Sequence, residues 1–181
     1  ELTIGGRRWR CISGYGHAPE HMALWCDEAN LLISGDMLLP RISTNVSVYE
    51  MEPEADALAL FLASIDRFRA LPDDSLVLPS HGKPFTGMHR RIEQLHEHHA
   101  ERRKARTTSP LLFRRPLDLH QTTFAMGEAV AHLHWLWHGG KVARARGGDG
   151  VYRFSAILRS VVGLAQRVGE RVPRNSRRSR G

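Results

Sequence analysis

Three short segments of this 181-residue chain hold side chains suited to binding a metal ion: Gly16-His17-Ala18-Pro19-Glu20-His21, Ser34-Gly35-Asp36 and Ser80-His81-Gly82. Imidazole nitrogen and carboxylate oxygen are natural zinc ligands at about 2 Å, and both also accept iron or manganese. Each segment contains a glycine, which lets the backbone turn sharply and present the neighbouring side chain to a shared cavity. Each also follows an apolar run. The other histidines of the 11 are expected to do other work. His96, His98 and His99 fall in a polar stretch and read as solvated. His132, His134 and His138 surround Trp135 and Trp137 and read as packing within their own helix, although the four-residue spacing of His134 and His138 could in principle share a metal.

The elements that must position these residues can be read from the apolar pattern. Residues 2–4 and 9–12 read as strands around the Gly5-Gly6 turn, and residues 13–16 as a loop delivering His17. Residues 22–26, 31–33 and 76–78 read as further strands, the last two ending at Ser34-Gly35-Asp36 and Pro79-Ser80-His81. Leu58, Phe61, Leu62, Ile65 and Phe68 repeat at helical spacing and predict a helix over 53–70, with Pro53 in its first turn. A second helix is predicted over 87–105, with Met88, Ile92 and Leu95 on one stripe. Ligand-type residues therefore recur at strand ends, where loops converge beside a rigid sheet.

A second unit follows. Residues 119–138 predict a helix closed by Gly139-Gly140, and residues 141–154 a hairpin tipped by Gly147-Gly148-Asp149-Gly150. A helix followed by a basic hairpin has the outline of a winged helix. Residues 156–170 predict one more helix, and from Val172 the Arg/Ser-rich chain is expected to be disordered. The division read here is residues 1–106, 107–155 and a basic tail over 156–181.

Charge follows that division. Residues 1–100 carry a net charge of −5 and residues 101–181 one of +12, giving the overall +7. The basic part, with its tail arginines Arg171, Arg174, Arg177, Arg178 and Arg180, could approach a polyanion, so nucleic acid is a possible partner through residues 101–181. No stretch approaches the roughly 20 apolar residues that cross a bilayer, so no membrane partner is expected. Cys11 and Cys26 form no C-x-x-C pair. They read as two buried thiols in a reducing, cytoplasmic setting. The chain opens on Glu1 with no signal-peptide pattern, read as an upstream part processed away or missing.

The order G-H-[STA]-P-x-H, apolar strand, S-G-D, helical insertion and P-x-H-G resembles the second half of the metallo-β-lactamase superfamily signature. The run from Ile33 to Ser43 is similar to the glyoxalase-II-like branch. The resemblance spans roughly residues 1–154. It implies an α+β fold: the C-terminal portion of an αββα sandwich followed by a winged-helix-like domain. It implies that His17 ligates a first metal, that Asp36 bridges two, that His81 ligates the second, and that His21 stands behind them holding its loop. The implied cofactor is Zn2+, two ions per complete site. The implied reaction is attack of activated water on an ester or thioester of a small molecule; nuclease relatives with a similar appended domain make nucleic-acid binding or cleavage the alternative.

The chain departs from the pattern in one respect. The H-x-H-x-D-H motif that supplies four more ligands is absent, and His96-Glu97-His98-His99, on a predicted helix downstream, is no substitute. The expectations are weak zinc binding, little turnover, and a sheet with one face poorly covered and one edge open. Arg41, Asn45 and Lys83 lie near the ligand loops, where they could contact an anionic group.

Overall fold

In a computed structural model of the protein, the described residues are 1–108 and 118–157. Five strands, β1 (Leu2–Ile4), β2 (Arg7–Gly14), β3 (His21–Cys26), β4 (Leu31–Gly35) and β5 (Leu76–Pro79), form one sheet in sequence order. The first three pairings are antiparallel and β4–β5 is parallel. A parallel neighbour requires a crossover. Helix α1 (Ala57–Asp66), continued by a 3-10 turn over Arg67–Ala70, supplies it. Helix α2 (Met88–Thr108) follows β5; α3 (Leu119–His138) and the antiparallel hairpin of β6 (Val142–Arg146) and β7 (Tyr152–Ala156) follow in turn.

Alternation of side chains along the strands separates the two faces of the sheet. Ala23, Trp25, Leu32 and Val77 point to one side, where they bury against Leu58, Phe61, Leu62 and Ile65 of α1 and Met88, Ile92 and Leu95 of α2. Ala131 of α3 joins the same cluster. The other face carries Met22, Ile33 and Leu76, each more than a third exposed, and the outer strand β1 leaves Leu2 and Ile4 about half exposed. The expected poorly covered face and open edge are both present.

Several elements differ from the sequence expectations. Strand β2 runs past Ile12 to Gly14, because Ser13 and Gly14 continue the ladder opposite Met22 and His21. Helix α1 starts at Ala57, not at Pro53: the Asp56 carboxylate caps it by accepting from the Ala59 backbone N at 3.1 Å. Glu54 is drawn instead to the hairpin, where Arg144 Nη2 donates to both of its carboxylate oxygens. Helix α3 matches its expected span, and Ala156 ends a strand rather than opening a helix. The remainder of that expected helix, the tail from Val172 and the stretch 109–117 lie outside the described residues.

The histidine expectations need correction too. His99 is fully buried, because it extends the inward stripe of Met88, Ile92 and Leu95 by one more helical step. His96 pairs with Asp66 at 3.0 Å. His134 and His138 reach outside their helix, donating to the backbone carbonyls of Ala55 and Glu54 at 3.1 and 2.8 Å. Cys26 is buried and Cys11 only half-buried, both as free thiols. No helix among the described residues is long and apolar enough to cross a membrane.

Candidate metal centre

Strand directions bring three loops to one end of the sheet. Gly14 at the end of β2 pairs with His21 at the start of β3. Because β3 and β4 are antiparallel, the start of β3 adjoins the end of β4. Because β4 and β5 are parallel, both finish together, Gly35 beside Pro79. The residues just beyond these ends are His17, Asp36 and His81. Their tips meet: His17 Nε2 lies 3.4 Å from Asp36 Oδ2, and His81 Nε2 lies 3.4 Å from Asp36 Oδ1. The carboxylate thus turns a different oxygen to each imidazole.

Glycine makes two of these loops possible. Gly35 has φ +55° and sits at a register shift in the β4–β5 ladder. A Cβ there would fall 2.4 Å from His21 Nε2. Gly16, at φ +93°, passes so close to α1 that a Cβ would lie 2.2 Å from the Ala57 carbonyl oxygen. The loop carrying His17 is therefore pressed directly onto the helix.

Backbone groups fix the ligand candidates. His17 Nδ1 is 2.8 Å from the Asn45 carbonyl. A carbonyl only accepts, so Nδ1 carries a proton, and in the neutral form of the ring the Nε2 lone pair faces Asp36. Tyr49 Oη donates to the His17 carbonyl at 2.6 Å, and Thr44 Oγ1 donates to the Asp36 carbonyl at 2.6 Å. Asn45 acts through its backbone, while its side-chain Oδ1 accepts from Ser47 at 3.3 Å. Sequence spacing gave no signal for Thr44 and Tyr49; they matter because the segment after Asp36 folds back across the loop of His17.

The donor set fits a cation. A neutral imidazole lone pair facing a carboxylate oxygen at 3.4 Å is a repulsive pairing, and Asp36 Oδ1 is buried with no hydrogen-bond partner among the described residues. Two ligand atoms about 3.4 Å apart match two bonds of about 2.0–2.1 Å at a tetrahedral angle. His21 stands behind this set, its ring edge-on to His17 with centroids 6.3 Å apart. Burial lowers its pKa, the neighbouring His17 adds to the lowering, and Asp36 opposes it. His81 is largely exposed on its outer side. A cleft of about 580 Å3 opens beside it, lined by Pro40, Arg41, Ile42, His81, Gly82, Lys83, Pro84 and Phe85. Arg41 and Lys83 are therefore both placed at the cleft that His81 borders.

The chain resembles known proteins in the same terms. Residues 92–157 match the family model described as "Metallo-beta-lactamase-like, C-terminal domain". The "Probable metallo-hydrolase YqjP" of Bacillus subtilis (strain 168) is 26% identical over 126 residues, which cover 67% of this chain and 38% of that protein. A beta-lactamase domain protein from Burkholderia ambifaria aligns with a TM-score of 0.78 and 49% identity, over 86% of this chain and 50% of that one. A metallo-beta-lactamase family protein from Thermus thermophilus aligns with a TM-score of 0.71 and 32% identity, over 86% and 52%. The chain spans about half the length of these two structures. Together these likenesses support membership in the metallo-β-lactamase superfamily.

Proposed function

We propose that this chain carries part of the metal centre of a zinc-dependent hydrolase, with His17, Asp36 and His81 as ligands and a small-molecule ester or thioester as substrate. The observation that carries the reading is the carboxylate of Asp36 set between two imidazoles, one oxygen toward each. A bound zinc ion would supply Lewis acidity, acidifying a water and polarising the scissile carbonyl. The chain's own residues do the positioning. Asp36 would offer one carboxylate oxygen on the His17 side and the other on the His81 side. The Asn45 carbonyl holds His17 in the tautomer that leaves Nε2 free. Arg41 and Lys83, in the cleft beside His81, draw in the anionic end of a substrate.

The glyoxalase-II-like branch, a winged-helix-like character for residues 107–155 and a cytoplasmic setting belong to the same proposal. The helix and hairpin after residue 118 agree with the second of these. Among the described residues, no specific observation favours the nucleic-acid alternative. Arg144 is consumed by Glu54 and Arg153 by Asp149, which it holds down to a pKa of about 2.

Calorimetric titration of the chain with zinc tests the ligand set. With a single carboxylate and two imidazoles, binding is expected to be weak and turnover of a thioester slow but zinc-dependent. Asp36→Asn is expected to remove both, and His17→Ala and His81→Ala each to weaken binding about tenfold or more. Zinc binding and hydrolysis unchanged by Asp36→Asn would overturn the proposal.

A further inference from the structure

We infer that a second divalent-metal site, independent of the one above, lies between α2 and α3 and is built from His98, His99 and Glu128. One potential ligand atom from each of the three falls within 4.8 Å of the others. Two imidazoles and a carboxylate are a three-ligand set of the kind that binds zinc with a fourth position open. The cluster stands apart from His17. Helix α1 lies between, with Phe61 edge-on to His99 at a centroid distance of 6.0 Å and its backbone against Gly16.

The polar atoms here are arranged as ligands rather than as a hydrogen-bonded pair. His98 Nε2 and Glu128 Oε1 face each other at 3.9 Å, too far for a hydrogen bond. Both atoms are buried and neither has a hydrogen-bond partner among the described residues. Such orphans are costly unless something lies between them. A cation with bonds of about 2.0–2.1 Å reaches both. The other carboxylate oxygen is taken: Arg102 Nη1 donates to Glu128 Oε2 at 2.5 Å. The carboxylate is thereby oriented with Oε1 toward the two histidines.

A relay of hydrogen bonds sets the tautomer of His99. The Glu128 backbone carbonyl accepts from His132 Nδ1 at 2.8 Å. The His132 ring then offers Nε2 as an acceptor, 3.4 Å from His99 Nδ1. His99 Nδ1 is the donor in that contact, which puts the His99 lone pair on Nε2. This is the arrangement in which a metal-binding imidazole gives its other N–H to an outer partner. Burial lowers the pKa of His98 and Arg102 lowers it further, with Glu128 opposing. Its ring is one-third exposed and offers the way in. Zinc or a neighbouring first-row divalent ion is the ligand class these donors select.

Cobalt(II) and zinc titrations of the full chain carrying His17→Ala and His81→Ala test the inference with the first site disabled. One cobalt per chain is expected, with the visible absorption of a four-coordinate ion, and zinc is expected to raise the Tm. Adding His98→Gln or Glu128→Gln is expected to weaken binding about tenfold or more. Arg102→Ala is expected to weaken it as well, by freeing the Glu128 carboxylate to turn away, whereas a purely structural ion pair would only lose stability. Long-range 1H–15N spectra read the site without altering it: zinc is expected to shift Nε2 of His98 and His99. No stoichiometric cobalt binding in the doubly substituted chain, or unmoved ring nitrogens on adding zinc, would overturn the inference. So would binding indifferent to His98→Gln and Glu128→Gln in variants whose circular dichroism is native.

Discussion

Replacing Gly35 by alanine is expected to damage the proposed metal centre through His21, and the size of the effect can be worked in two parts. The first part is conformational. Gly35 has φ +55°, where an L-residue with a Cβ costs about 1–2 kcal/mol. The second part is steric. The new Cβ would sit 2.4 Å from His21 Nε2 and 2.7 Å from its Cε1, so the ring must swing aside. That ring is half-buried, and its Nδ1 is already without a hydrogen-bond partner among the described residues. The two parts separate in a double-mutant cycle. In the wild-type background Gly35→Ala incurs both; in a His21→Ala background it incurs only the backbone part. Urea unfolding of the four proteins is therefore expected to give a coupling energy on the order of 0.5–3 kcal/mol, the range for residues in contact. Because Asp36 is the next residue, zinc affinity measured on the same four proteins is expected to fall with Gly35→Ala and to recover partly when His21 is also removed. Equal destabilisation by Gly35→Ala in both backgrounds would refute the contact on which this reasoning rests.

Three further outcomes are expected. Tyr49→Phe removes the donor to the His17 carbonyl; unfolding experiments should show a loss of about 1 kcal/mol, with weaker zinc binding in calorimetry. His134 is buried and its folded pKa lies below the ordinary 6.5, first through burial and further through Arg144 and His138, with the Ala55 carbonyl and Glu54 opposing. The unfolded chain therefore binds more protons as pH falls below about 6.5, so stability drops on acidification through that window and levels off below the folded pKa; a Tm-against-pH curve for His134→Gln should be flatter there. Arg144 lies between the rings of Trp137 and Tyr152, 3.7 and 4.4 Å from their centroids, with only 7% of its side chain exposed; Arg144→Ala should lower the Tm while leaving the salt dependence of binding to a single-stranded DNA probe unchanged.

The three loops that converge at Asp36 were legible in the sequence because three signals coincide at each: an apolar run, a glycine and a His or Asp. The strands were legible for the same reason, their ends being marked by turn residues such as Gly5-Gly6 and Asn30. Tertiary demands were not legible. The start of α1 depends on Asp56 capping Ala59, and Pro53 four residues earlier offers a competing start signal that only the Glu54–Arg144 pair resolves. The burial of His99 was visible in outline as the next step of the stripe Met88, Ile92, Leu95, but three neighbouring polar residues masked it. Glu128, thirty residues away, gives no local sign that it meets His98. The same holds for Tyr49 and Thr44, whose partners are backbone carbonyls 32 and 8 residues distant.

The two faces of the sheet show how one strand pattern serves both stability and the site. Strands β3 and β4 place Ala23, Trp25 and Leu32 toward α1 and α2, but the alternate positions Met22, Leu24 and Ile33 are apolar as well. A sheet with one solvated face ordinarily alternates apolar with polar residues. Strands apolar on both faces are those of a layer covered on both sides, as in stacked sheets about 10 Å apart. The metal loops sit at the end of the sheet, on the rim between the covered face and the exposed one, and the cleft beside His81 opens there too. Under the proposed function, further ligands to a cation held by His17, Asp36 and His81 would approach along the same rim. A layer packed against the exposed face of β3 and β4 would cover Met22 and Ile33 and also reach that rim.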